Sequence, residues 1–288
     1  MKMIYTLPFL LRSEPEYFKQ DMQLVHNCFS TLQQDQSNIL IIYNQGFLEK
    51  DKLRDLLDHY KLNAEILGTG GNIGIAQARQ KCFEYIWANY PEIPFIAEIH
   101  LDMIFPQNWY IPLLNHLIRS DEPCLSPGIV NSTGELHPLC KGKSLVRVPQ
   151  ETEKLLLLLK SLERQEMHEG FVHPVIHKSE VLKQIGGYDC RFLQGRQGYE
   201  DDSLLLGYSY YLGTSRKWKP KCCLESWVYH AALAQRITLP DIQKEFSLNL
   251  RGLTSQYGGY GLMELARIHD SEYFKFLFNE TLHTLQQE

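Results

Sequence analysis

Apolar and polar positions along the first hundred residues switch between two periods. "MIYTLPFL", from residue 3, is a short continuous apolar run of the kind a sheet strand makes. In the following "PEYFKQDMQLVHNCFSTLQQ", Phe18, Met22, Val25, Phe29 and Leu32 recur at helical spacing. "NILIIYNQG" is apolar throughout and ends in turn residues, which suits a strand buried on both faces. "EKDKLRDLLDHY" predicts a second helix, "AEIL" a third strand and "IAQARQKCFEYIWANY" a third helix. "FIAEIHLDMIF" then predicts a fourth strand, broken at Pro106. Strand and helix in alternation predict a parallel sheet with crossover helices.

The second half is less regular. "CLSPGIVNSTGELHPLCKGKSLVRVP" reads as strands and loops, with Pro, Gly and basic residues marking its middle as a candidate mobile segment. "KLLLLLKSL", from Lys154 to Leu162, predicts a helix with a buried face. A membrane-surface contact is its other reading, and the run is far too short to span a bilayer. "GYEDDSLLLGYSYYLG" reads as a helix that opens on its acids, and from about Leu239 the pattern is helical to the end, predicting a small C-terminal appendage.

Composition narrows the class. The chain has 288 residues, 44% hydrophobic and 22% charged, as an ordinary globular protein does, and its length fits one large domain or one domain plus an appendage. Its net charge of −5 argues against a nucleic-acid partner, which would need a basic face to displace phosphate counterions. The seven cysteines are scattered without C-x-x-C spacing, which predicts reduced thiols in a cytoplasmic protein. The N-terminal apolar run meets Arg12 and Glu14 too early for a signal segment and is read as a strand.

"GTGGNIGIAQAR", residues 68–79, is close to the T-G-x-x-x-G-I-A turn that holds a nicotinamide cofactor. That turn normally follows the first strand of its fold, whereas this one follows the third, and no Tyr-x-x-x-Lys occurs downstream. The glycines therefore serve something else.

Two clusters carry candidate chemistry. His100 and Asp102 are two apart near a strand end, where an extended segment points both to one side, and an imidazole with a carboxylate makes a corner for Mn²⁺ or Mg²⁺ on a diphosphate. An Asp closing a strand also serves as a turn cap. Glu200, Asp201 and Asp202 open a helix, where capping and the macrodipole already favour acids. His173 and His177 are four apart, but Pro174 favours an extended segment over a paired helical site. Trp109 suits an acceptor-side wall or a core anchor equally, and Tyr208, Tyr210 and Tyr211 suit packing.

Taken in order, "NIGIAQARQ" at 72–80, "HLDMIFPQNW" at 100–109, "IGGYDCRF" at 185–192, "GYEDD" at 198–202 and "VYH" at 228–230 resemble the motifs of the GT-A glycosyltransferases, specifically glycosyltransferase family 2. The resemblance covers roughly residues 1–235. It implies an α/β GT-A fold, a Rossmann-like mixed sheet flanked by helices, over 1–235, with a C-terminal helical extension over 236–288. It also implies a nucleotide-diphosphate sugar as donor and Mn²⁺ or Mg²⁺ as cofactor. On this resemblance Asn72, Gly74 and Arg79 line the donor pocket, and Pro8, Phe9, Tyr43 and Asn44 flank the base. Asn44 stands where the family usually has an acid, which leaves the base open. His100 replaces the first Asp of D-x-D and is assigned to the diphosphate, while Asp102 and His230 are assigned to the metal. Asp201 is the implied general base of an inverting transfer, with Glu200 positioning the acceptor.

The implied acceptor is a glycan or lipid-linked glycan, in surface-glycan synthesis, in the cytoplasm or peripherally at the inner face of the membrane. Two other readings stand beside this one. A catalytically silent sugar- or nucleotide-binding module agrees with His100 and Asn44; a sugar-nucleotide nucleotidyltransferase would need a basic N-terminal G-x-G-T-R-type loop that the sequence lacks.

Overall fold

The computed structural model describes residues 2–32, 38–232 and 241–287, with side chains to 281. Strands β1 (Met3–Phe9), β2 (Ile39–Asn44), β3 (Ala64–Leu67) and β4 (Phe95–Glu98) run parallel in the order β3-β2-β1-β4, joined by helices α1 (Pro15–Leu32), α2 (Lys50–His59) and α3 (Ile75–Asn89). The sheet continues through β9 (Val175–Lys178), β6 (Cys124–Asn131), β10 (Lys221–His230) and β5 (Met103–Ile104). Of these, β9 is antiparallel to β4 and β6, β10 is parallel to β6, and β5 is antiparallel to β10, so the predicted parallel sheet is only the first half of a mixed one.

Period-two alternation along β1 explains how both faces are covered. Met3, Tyr5, Leu7 and Phe9 enter the core shared with α1, α2 and α4 (Ile111–Arg119). Ile4 enters the opposite core, shared with α3, α6 (Ser179–Gln184) and α7 (Glu200–Leu212). Burying a large apolar side chain contributes about 1.5–3 kcal/mol, so a strand apolar on both sides is held from both. In α5 (Thr152–Ser161) the leucine run resolves into a buried face of Leu155 and Leu159 under β10, with Leu157 exposed. Among the described residues, no helix is long and apolar enough to cross a membrane.

β1 leads outward to β2 and β3 while β4 lies on its other side, so strand order reverses between β1 and β4. Carboxyl ends diverge at such a point and open a crevice. "FIAEIHLDMIF" does not form one strand: β4 stops at Glu98, a turn spans Leu101 and Asp102, and β5 departs to the far edge of the sheet. His100 and Asp102 therefore share a side through this turn, not through an extended segment.

Helices α8 (Ile242–His269) and α9 (Glu272–Gln287) pack on α7 through Leu253, Leu262, Leu265 and Phe274 around Leu206. α8 is interrupted at Gly258, whose φ of 66° and ψ of −173° are not helical. The boundary drawn at 235/236 lies outside the described residues.

Candidate active site

At the β1/β4 crevice the structure forms a cavity of about 190 Å³ whose lining includes Pro8, Asn72, His100, Asp102, Glu200 and His230. Sheet register makes the metal corner. Met103 of β5 pairs with His230 of β10, and Ala231 N donates to Asp102 O at 2.9 Å, which brings Asp102 beside His230. His230 Nε2 lies 3.2 Å from Asp102 Oδ1, and the His100 and His230 rings meet edge to face at 5.0 Å. One potential ligand atom from each of His100, Asp102 and His230 lies within 4.8 Å of the others. Two imidazoles and a carboxylate gathered so closely suit a divalent transition ion, and small shifts would bring such atoms to bonding distance.

The acids belong to the first turn of α7. Glu200 lines the cavity and is buried. Asp201 does not line this cavity; its carboxylate lies 3.7 Å from Arg79 Nη1 and 3.6 Å from His173 Nδ1, and its side chain is 38% exposed. Its Oδ1 is nevertheless shielded from solvent, and that burial, with the neighbouring Glu200, pushes the Asp201 carboxyl up to about 8, with the Arg79 charge pulling the other way. Asp202 turns aside to His269, 2.7 Å away.

Arg79 departs from its assignment. It neither lies along the donor cavity nor sits on a solvated helix face: it is wholly buried, because Glu98, buried in β4, needs a counter-charge. Burial alone would favour the neutral guanidine, but Glu98, Tyr188, Asp201 and Glu200 together outweigh it and raise the group's pKa. Glu98 also accepts from His177 Nε2 at 2.7 Å and from Tyr188 OH at 2.9 Å; burial would raise its pKa, but the Arg79 charge and these two partners together outweigh burial, so it falls. Arg79 Nη2 contacts His100 Nε2. A guanidinium only donates, so that nitrogen accepts, and the ring proton is assigned to Nδ1.

Three base-flanking assignments also change. Strand alternation turns Phe9 into the core against Phe29, 6.3 Å between ring centroids, while Pro8 faces the cavity. Tyr43 packs with the α3-side core and over Gly68. Asn44 is buried and spends its amide on the turn, accepting from Gly46 N at 3.1 Å and donating to Leu48 O at 2.9 Å. Its neighbour Gln45 lines the cavity instead and accepts from Ile73 N at 3.1 Å. Asn72 lines the cavity and accepts from Gly74 N at 3.0 Å. Gly74, at φ 88°, does not line it but supports it: a Cβ there would stand 2.7 Å from Arg196 Cα.

His173 and His177 do not form a site together. His177 lies in β9 between Glu98 and Tyr208, whereas the buried His173 ring packs on His100 at 4.7 Å. Burial first, then the Arg79 charge, holds the His173 imidazole well below its usual range. Trp109 is a core residue against Phe105, and of the three tyrosines only Tyr208 is buried. Sequence reasoning missed Glu98, Gln45, Arg196 and Gln197. Only Glu98 left a signal, as a charge inside an apolar strand.

No family model matches the sequence, and no curated protein matches it. Solved structures do match its fold. A crystal structure of S. aureus TarS 1–349 in complex with UDP superposes with a TM-score of 0.55 at 8% identity, covering 93% of this chain and 70% of that one. The same protein with UDP-GlcNAc gives 0.55 at 8%, covering 93% and 71%. GalNAc-T7 with UDP, GalNAc and Mn²⁺ gives 0.56 at 17%, covering 96% of this chain and 55% of that one. The mixed sheet, the crevice at its reversal point and these superpositions together identify the architecture as the GT-A glycosyltransferase fold.

Proposed function

We propose that the protein is a glycosyltransferase that moves a sugar from a nucleoside-diphosphate sugar to an acceptor hydroxyl. The observation that supports it most is that His100, Asp102, His230 and Glu200 line one cavity at the strand-order reversal. Asp102 and His230 would hold a divalent ion, with His100 directed to the diphosphate because its Nε2 already accepts from Arg79. Such an ion, when bound, neutralises charge on the departing diphosphate. Asn72 and Pro8, which also line the cavity, would form its nucleoside end.

Asp201, next to the cavity-lining Glu200 but facing Arg79 and His173, would turn its carboxylate to the cavity and take the proton of the acceptor hydroxyl as that oxygen attacks C1 of the sugar from the face opposite the diphosphate, an inverting displacement. A base near pKa 8 is well matched to this task at neutral to mildly alkaline pH. Glu200, facing the cavity, orients the reacting groups. His173 packs against His100 and stands beside Asp201, 3.6 Å from its carboxylate. A glycan or lipid-linked glycan is the acceptor class that follows from the sequence resemblance.

The test is transfer or hydrolysis of a panel of nucleotide sugars with Mn²⁺. Activity in the wild-type protein that falls at least a hundredfold in Asp102→Ala supports the reading. Nucleotide binding with no turnover of any donor supports the silent module instead, the reading favoured by the turn role of Asn44.

A further inference from the structure

The loop just before the acids is held more tightly than a surface loop needs to be. Asn249 of α8 is wholly buried, and its amide accepts from Gly195 N at 2.6 Å and donates to Gly195 O at 3.2 Å and to Gly198 O at 2.7 Å. Glu245 Oε2 accepts from Arg196 N at 2.7 Å, and Arg196 O accepts from Ile75 N at 2.9 Å. Gly198 has φ 96°, and a Cβ there would strike the Phe246 ring at 2.8 Å. The backbone from 195 to 198 is thereby fixed between α3 and α8.

Within this clamp Gln197 is 6% exposed and lines the cavity, yet its Nε2 has no hydrogen-bond partner among the described residues. A buried amide donor without an acceptor is costly, and the clamped loop cannot shift to supply one. We infer that Gln197 is a sugar-reading residue: its Nε2–H donates to an oxygen of the transferred sugar. The inference rests on the glycosyl-transfer reading. The position follows from the chemistry, since C1 must lie between the diphosphate at Asp102 and the acids of α7. Gln197 precedes Glu200 by three residues and lines the same cavity, whereas Pro8 and Asn72 are the residues proposed above for the nucleoside. Arg196, which also lines the cavity, adds a cationic donor beside it.

The experiment is calorimetric titration, with Mn²⁺, of wild type and Gln197→Met with UDP, GDP and dTDP, with their glucose conjugates and with UDP-GlcNAc. The result expected is that Gln197→Met weakens binding of the sugar conjugate by about ten- to a hundredfold and leaves its parent nucleotide within about twofold. Equal weakening of nucleotide and conjugate shows a merely structural role and overturns the inference, as does unchanged binding of both. Should Gln197→Met fail to fold, Gln197→Glu keeps the shape, removes the donor and is expected to lose the conjugate in the same way. A wild-type protein that binds no nucleotide of the panel overturns the glycosyl-transfer reading and this inference with it; one that binds nucleotides while Gln197→Met leaves every affinity unchanged overturns the inference alone.

Discussion

Arg79 Nε lies 2.8 Å from Glu98 Oε2, with both side chains fully excluded from solvent. The contact is an ion pair without an aligned hydrogen bond through Nε, and the guanidinium is steadied by Tyr188 OH at 3.1 Å and by His100. One buried charge thus touches both the proposed metal corner, through His100, and the proposed base, Asp201.

Removing either partner strands the other charge in the interior. Arg79→Met or Glu98→Gln is expected to cost about 3–5 kcal/mol in urea unfolding at pH 7, and the double variant less than the sum of the two. Single variants within 0.5 kcal/mol of wild type would show that the pair is not buried in solution.

Asp201 sets a pH dependence. Its folded-state pKa, about 8, lies above the ordinary carboxylate value it has when unfolded, so the folded chain binds the extra proton. The stability this contributes is complete below the unfolded pKa and is lost as pH rises through about 8. Asp201→Asn is therefore expected to flatten the melting-temperature profile between about pH 4 and 8. The free enzyme's kcat/KM is expected to rise with pH to a midpoint near 8, and Asp201→Asn to lower kcat by about a hundredfold or more. A pH profile unchanged by Asp201→Asn but changed by Glu200→Gln would move the base to Glu200.

Metal binding has a readout free of activity. If the proposed site holds Mn²⁺, the ion at about 100 times its dissociation constant is expected to add about 2.7 kcal/mol to folding, a melting shift of several degrees. Asp102→Ala and His230→Ala are expected to abolish that shift. Asp202→Ala, whose carboxylate is bound to His269, should preserve it.

Asn249→Ala removes three hydrogen bonds from the 195–198 backbone. A loss of about 2–4 kcal/mol in stability is expected, at roughly 1 kcal/mol or more per bond left unmade. KM for the donor should rise more than kcat falls. No change in either would show that α8 is dispensable to the cavity.

Much of this was legible in one dimension. Helical spacing from Phe18 to Leu32 and the apolar runs at 3–10 and 38–44 set the first half of the sheet, because local periodicity reports which faces are buried. His100, Asp102, Glu200 and His230 could be picked out, since their order and spacing resemble known motifs. Arg79 was picked for its motif and given the wrong surroundings, although Ala76, Arg79, Phe83 and Ile86 lie on one buried stripe of α3. Gln197 left no signal: a glutamine in a glycine-flanked loop looks like any exposed turn until a helix fifty residues later covers it.

The sequence by itself determined that alternating elements would stack into a sheet with helices on its faces, and which side chains had the chemistry for a metal and a base. Only the tertiary structure decided that β9 runs antiparallel, that a turn and the β5–β10 register bring Asp102 to His230, and that Glu98 draws Arg79 inward. Periodicity is a property of neighbours in the chain. Register, counter-charge and the closing of a cavity depend on segments from about twenty to well over a hundred residues apart, whose pairing is chosen by the free energy of the whole fold.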